Sequence, residues 1–232
     1  MSLKVIQWAT GGVGRAAIEG IVAHPELELV GCWVHSEDKV GRDVGELCGM
    51  EPLGVKATND VDALMKMSAD CVMYSPIMGN TEEVARILAS GKNVVSPLNW
   101  FYPGKRDVSA LEESCLAGNS TLHGTGIHPG GITERFPLMI SALSSVITHV
   151  RAEEFSDIRT YNAPAVISDI MLFGKTPEEA AASPMVGFLG QGFGQSMDMV
   201  AAEMGFDVDS EMISAHDVAV ATAPIDSPIG VI

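Results

Sequence analysis

The chain has 232 residues, 47% hydrophobic and 19% charged, with no long polar or low-complexity tract; such a chain folds, and it is long enough for one large domain or two small ones. Thirty acidic against fourteen basic residues leave a formal charge of -16, which repels a phosphate backbone and excludes nucleic acid as a partner. No apolar run approaches the roughly 20 residues of a membrane span, so no membrane partner is expected either.

Leu3-Lys4-Val5-Ile6-Gln7-Trp8 reads as a β-strand that ends at Gly11-Gly12-Val13-Gly14, and Arg15 to Ala23 reads as a helix. Further strands are predicted at Glu28 to Val34, Asp70 to Tyr74, Asn93 to Ser96 and Thr121 to His123. Helices are expected at Asp60 to Met67, Thr81 to Ser90 and Val108 to Ala117. Asp60 is a plausible cap, and Gly91 and Gly118 stop the last two. Strands alternating with helices predict a parallel, doubly wound α/β sheet of the Rossmann type.

The segment Gly124-Thr125-Gly126-Ile127-His128-Pro129-Gly130-Gly131 marks a domain boundary or a site loop, and the boundary is placed at His128. This gives a dinucleotide-binding domain over 1–128 and a substrate and dimerisation domain over 129–232. In the latter, helices are expected at Ile132 to Ser145, Lys175 to Ala182 and Phe188 to Met204, and strands at Ile147 to Phe155 and Ala215 to Ala223. Two strands make an incomplete sheet, so this α+β domain reads as truncated.

The four cysteines, Cys32, Cys48, Cys71 and Cys115, lack CxxC spacing, and the N-terminus runs straight into a strand without a targeting segment. Both features predict reduced thiols in a cytoplasmic protein. No His, Cys or carboxylate cluster has metal spacing, so no metal is expected.

The dinucleotide fingerprint places glycines at a tight turn, at the approach of backbone to pyrophosphate and at helix–strand packing. Here it reads Ala9-Thr10-Gly11-Gly12-Val13-Gly14, with Ala9 in the first place. Its position after the first strand and at the head of a helix is the context the fingerprint requires, and Thr10 to Arg15 are the predicted cofactor residues. At the end of strand two, where NAD-binding chains carry a carboxylate for the ribose, this one has Val34-His35-Ser36. With His35, Ser36, Lys39, Arg42 and Arg15 nearby, NADP is predicted over NAD, although Glu37 and Asp38 are close. Ligands in such sheets lie beyond the carboxyl ends of the strands. That nominates the loops at Ser75-Pro76-Ile77-Met78-Gly79-Asn80, Ser96 to Pro103 and Gly124 to Gly131; Ser75 and Pro76 join the predicted cofactor residues.

These loops, with Val40-Gly41-Arg42-Asp43-Val44-Gly45-Glu46-Leu47-Cys48-Gly49, resemble the family of 2,4-diaminopentanoate dehydrogenase and related NAD(P)H-dependent amine dehydrogenases. The N-terminal half is also similar to dihydrodipicolinate reductase. The resemblance implies hydride transfer at a C–N bond of a small amine or imine, and a homodimer formed through the second domain. Members of the family are longer. Their loop after the Asn93 to Ser96 strand carries a glutamate, where this chain has Asn99; an amide orients an amine but takes no proton at neutral pH. The histidine pair and lysine of dihydrodipicolinate reductase are also missing from Glu153 to Arg159.

Asn99, Tyr102 and His128 are therefore the catalytic candidates. Histidine transfers protons near neutral pH, and a tyrosine donates a hydrogen bond. His123, inside a strand, reads as structural, and Met185, Met197, Met199 and Met204 read as packing. Glu154 and Asp157 are possible substitutes for the missing glutamate; a continuous strand would point them to opposite faces. Two other activities stay open: an oxidoreductase of the same fold acting on a carbonyl or alcohol, and a cofactor-binding protein without turnover.

Overall fold

The computed structural model describes residues 2–104, 106–161, 163–208 and 212–232. The chain divides into two compact units, Met1–Gly126 and Ile127–Ile232.

The first unit holds β1 (Leu3–Trp8), α1 (Gly12–Ala23), β2 (Leu27–Trp33), α2 (Val44–Cys48), β3 (Ala57–Thr58), α3 (Val61–Lys66), β4 (Cys71–Tyr74), α4 (Thr81–Ala89), β5 (Asn93–Ser96), α5 (Ser109–Gly118) and β6 (Leu122–Gly124). The six strands form one sheet in the order β3-β2-β1-β4-β5-β6, every adjacent pair parallel. That is the doubly wound Rossmann order, with its switch point between β1 and β4. All the strands expected in this half form within a residue or two of their predicted limits. Two short elements, α2 and β3, carry too few periodic residues to be read from sequence.

Two apolar clusters cover the sheet. Ile6, Trp8, Val72, Tyr74 and Val94 pack with Leu64 of α3, Val84, Ile87 and Leu88 of α4 and Leu111 of α5. Ile18 of α1 packs with Cys32, Val34, Ala57 and with Val44 and Leu47 of α2. Strands covered on both sides become continuous apolar runs, which is why β1 is buried from Val5 to Trp8. The start of α3 is fixed as the sequence predicts, Asp60 accepting from the Ala63 amide at 2.9 Å; Asn80, which was not among the predicted caps, caps α4 through the Glu83 amide at 3.1 Å. Gly91, with φ +86, closes the turn after α4.

The second unit is largely helical. It contains α6 (Arg135–Ser141), α7 (Pro177–Ala181), the 20-residue α8 (Met185–Met204) and a hairpin of β7 (Asp226–Ser227) with β8 (Gly230–Val231). Three expectations are corrected here. Ile147 to Phe155 and Ala215 to Ala223 form no strand, and the helix predicted from Ile132 to Ser145 contracts to α6. A β-prone run becomes a strand only when a neighbour takes up its backbone groups. Among the described residues neither run has a ladder partner, and 151–157 are exposed throughout. The alternation that would send Glu154 and Asp157 to opposite faces therefore does not apply. No helix among the described residues is long and apolar enough to cross a membrane.

Candidate nucleotide-binding site

The site begins at the carboxyl end of β1. Ala9 has φ +76, a left-handed conformation for a residue with a side chain. Its carbonyl oxygen is directed at Gly14, where an added Cβ would lie only 2.2 Å away. Gly14 is thus the close-packing glycine of the fingerprint. Gly11 is the N-cap of α1 and is exposed, and a Cβ there would meet nothing within 4 Å. The first turn of α1 holds no acidic residue, so its free amides and the positive end of its dipole face open space. This cradle fits a dinucleotide pyrophosphate. The residues that would hold it are the backbone of Gly11, Gly12 and Val13, with Arg15 exposed just beyond the buried Gly14.

Lys39 closes one side. Its Nζ donates to Thr10 Oγ1 at 3.2 Å, and its amide donates to the Ser36 carbonyl at 3.1 Å, which places the Ser36 segment beside the glycine turn. Glu37 is turned to Asn59, whose side-chain amide donates to it at 2.7 Å. His35 is exposed, its ring 6.1 Å from that of Trp33. Burial raises the Cys48 thiol pKa, Arg15 and Lys39 pull it back, and Glu19 adds to the rise.

The next loop is held from below. Ser75 is buried, and its Oγ lies 2.9 Å from Gln7 Nε2 and 3.3 Å from the Trp8 carbonyl. Pro76 follows, half-buried. Tyr74 donates to Glu83 at 2.7 Å and accepts from the Asn80 amide at 3.1 Å. Burial and the Glu83 bond push its phenol well above the usual range. Gly79 lies against the Trp100 ring: a Cβ there would come within 3.0 Å of the indole and 3.3 Å of Asn99 Nδ2. Asn99 is itself left-handed at φ +52, and its carbonyl accepts from Arg106 at 3.0 Å. Tyr102 is half-buried on the same loop.

A row of rings crosses this edge: Trp33 stacks on Trp8 at 5.3 Å, Trp8 lies 6.2 Å from Tyr74, and Tyr74 lies 6.1 Å from Trp100. Asp43, in the stretch from Gly41 to Gly49, accepts from the Gly45, Leu53 and Gly54 amides at 2.8 to 2.9 Å, which holds its carboxyl below the ordinary range. That stretch is a structural clamp on α2.

His128 belongs to the second unit. Its Nε2 pairs with the Glu154 carboxylate, its ring lies 4.9 Å from that of Phe193 in α8, and its buried Nδ1 has no partner. Since a carboxylate only accepts, Nε2 is the donor of that pair. Glu134, 1% exposed, receives the Gly130 amide at 3.0 and 3.1 Å and the Ser196 hydroxyl, tying the glycine-rich loop to α8. Asp157 pairs with Arg159 instead, which holds its carboxyl down at about 2. No group of three or more His, Cys, Asp or Glu side chains among the described residues is placed to hold a metal.

The structure thus collects Thr10 to Arg15, His35, Ser36, Lys39, Ser75, Pro76, Asn99 and Tyr102 on one unit, and His128 on the other. Sequence reasoning missed Gln7 and Glu134. A polar residue between the buried Ile6 and Trp8 was the available signal for the first; Glu134 looks like any helix-start carboxylate.

Residues 5–96 match the family model of dihydrodipicolinate reductase, N-terminus. Over 219 residues the chain is 30% identical to an amine dehydrogenase of Streptomyces virginiae, covering 89% of this chain and 61% of that protein. Over 65 residues it is 38% identical to 4-hydroxy-tetrahydrodipicolinate reductase of Synechococcus elongatus, covering 28% and 24% of the two chains. The solved amine dehydrogenase of Mycobacterium smegmatis shares the fold, with a TM-score of 0.76 at 17% identity, covering 98% of this chain and 69% of that one. The chain is therefore similar to amine dehydrogenases along most of its length, and its first unit to dihydrodipicolinate reductase. It spans about three fifths of the curated amine dehydrogenase.

Proposed function

We propose that the chain is an NAD(P)H-dependent oxidoreductase acting at the C–N bond of a small amine or imine. The observation that carries this reading is the turn from Ala9 to Gly14, where a missing side chain at Gly14 admits the Ala9 carbonyl and an open Gly11 leaves the helix amides free for phosphate. The similarity to amine dehydrogenases supplies the bond acted upon. A nicotinamide supplies the hydride chemistry; the chain's own residues bind, orient and exclude water.

In this reading Thr10, Gly11, Gly12, Val13, Gly14 and Arg15 hold the pyrophosphate, and Ser75 and Pro76 shape the adjoining loop. His35, Ser36 and Lys39 receive the adenosine ribose, and Lys39 with Arg15 favours the 2′-phosphate of NADP; NAD remains the alternative cofactor. Asn99 and Tyr102 are the candidates for orienting the substrate nitrogen by hydrogen bonding, and His128 is the candidate for proton transfer. Residues 1–126 serve as the cofactor domain and 127–232 as the substrate and dimerisation domain. Exposed Phe136, Met139 and Ile140 on α6 support a homodimer, and four free thiols support a reducing, cytoplasmic setting.

A second reading, a cofactor-binding protein without turnover, is favoured by Asn99, since the loop from Ser96 to Pro103 contains no carboxylate. Calorimetric titration with NADPH and NADH tests the first step, and NADPH consumption with amine-forming and carbonyl substrates tests the second. Selective NADPH binding with reductive amination is the expected result. Turnover of ketones or aldehydes without an amine would assign a carbonyl oxidoreductase; binding without any turnover would establish the second reading; binding of neither nucleotide would overturn both.

A further inference from the structure

Gln7 is a fully buried polar residue within β1. Its Nε2 lies 2.9 Å from the Ala9 carbonyl, 2.9 Å from Ser75 Oγ and 3.2 Å from the Trp8 carbonyl, while its Oε1 is buried without a partner. Turning the amide over would set Oε1 against two carbonyl oxygens, so the nitrogen's contacts fix its orientation. One of the residues it holds is Ala9, which occupies the place of the first fingerprint glycine at φ +76. The left-handed region is disfavoured for a residue with a Cβ and almost free for glycine.

The three residues interlock. Left-handed Ala9 directs its oxygen at Gly14, where an added Cβ would lie 2.2 Å from that oxygen and 3.1 Å from Gln7 Nε2. The same amide reaches Ser75, at the head of the loop after β4.

We propose that Gln7 is a positioning residue for nucleotide binding: its amide holds Ala9 left-handed and thereby fixes the turn whose N–H groups meet the phosphates. It takes over what a glycine at position 9 would do unaided. The proposal rests on the nucleotide-binding reading of this turn.

The test is calorimetric titration of the full chain with NADPH for the parent, Gln7→Met, Ala9→Gly and the double variant. Gln7→Met is expected to weaken binding about tenfold, the equivalent of about 1.4 kcal/mol, and Ala9→Gly in the same chain to restore most of it. A role confined to filling the core would leave the loss unrestored by glycine at position 9. Gln7→Met that binds within about twofold of the parent, or a double variant no better than Gln7→Met, overturns the proposal. Should Gln7→Met not fold, Ser75→Ala frees one side of the amide; a loss of about threefold that Ala9→Gly recovers supports it, and no loss or an unrecovered one overturns it. If the parent binds neither nucleotide, the functional reading fails separately. The Gln7–Ala9 coupling is then read from thermal midpoints of the same proteins: a smaller cost of removing the amide in the glycine background supports it, and additive midpoints overturn it.

Discussion

The two units of this chain solve the problem of burial differently. In residues 1–126 the apolar side chains converge on two clusters, one on each side of a parallel sheet, and the Ala9 carbonyl and Thr10 hydroxyl of the glycine turn are each held by a neighbour. In residues 127–232 the described buried apolar side chains are Ile167, Ala180, Val200 and Ala201, while Leu143, Phe155 and Ile213 are each more than four-fifths exposed. A sheet lets one strand bury side chains against helices on both faces. A long helix with few partners buries only one stripe. The first unit therefore carries its stability in apolar packing, and the second depends more on a few buried polar ties, Glu134 above all.

The sharpest way to break the first unit is Gly14→Ala. The new Cβ meets backbone oxygen rather than a movable side chain, so about 2–3 kcal/mol of stability and most of the NADPH affinity are expected to go; urea unfolding and calorimetry read both. The matching change in the second unit is Glu134→Ala, which strips partners from the buried Gly130 amide and the Ser196 hydroxyl. A loss of about 2 kcal/mol is expected, confined to the unfolding of 127–232, with hydrogen exchange of β1 and β4 unchanged.

Lys39→Ala leaves the fold alone and sharpens the cofactor side of the contrast. It is expected to weaken NADPH by roughly tenfold and NADH by much less, because the proposed charged contact to the 2′-phosphate is lost. The smallest effect near physiological conditions is on pH. Burial raises the Cys32 thiol from 9.0 to about 12 and the Cys71 thiol to about 11. Their raised folded values mean that stability is full below the unfolded pKa and is lost as pH rises. The thermal midpoint of the first unit is expected to hold to about pH 9 and to fall progressively toward pH 11 and 12. A Cys32→Ser, Cys71→Ser variant should lose the part of that alkaline slope the two thiols supply and keep the part that Cys48 and Tyr74, also raised by burial, contribute.

This contrast also explains what was legible beforehand. Strands such as Asn93 to Ser96 and helices such as Thr81 to Ala89 announce themselves because local periodicity, caps and burial agree. The glycine turn was readable for the same reason, since each residue there answers to its own neighbours. Gln7 was harder: its importance comes from Ala9, Gly14 and Ser75 meeting one amide, and only Ala9 and Gly14 lie near it in sequence. The run from Ile147 to Phe155 misled because β-propensity describes what a strand would look like, while a ladder partner decides whether one forms. His128 was visible as a residue type. Its pairing with Glu154 and its free Nδ1 were not, because neither spacing nor composition brings those positions together.

The aromatic row across the sheet edge has a practical corollary. Trp8, Trp33 and Trp100 are the only three tryptophans in the chain, and all belong to the first unit, close to the loops of the glycine turn and the Asn99 segment. Intrinsic indole emission, with excitation energy migrating readily between stacked rings, therefore originates in that unit. A denaturation curve followed by tryptophan emission will record the loss of the sheet, while backbone circular dichroism also registers the helices of residues 127–232. Any distance between the two curves measures directly how independently the two halves of the molecule melt.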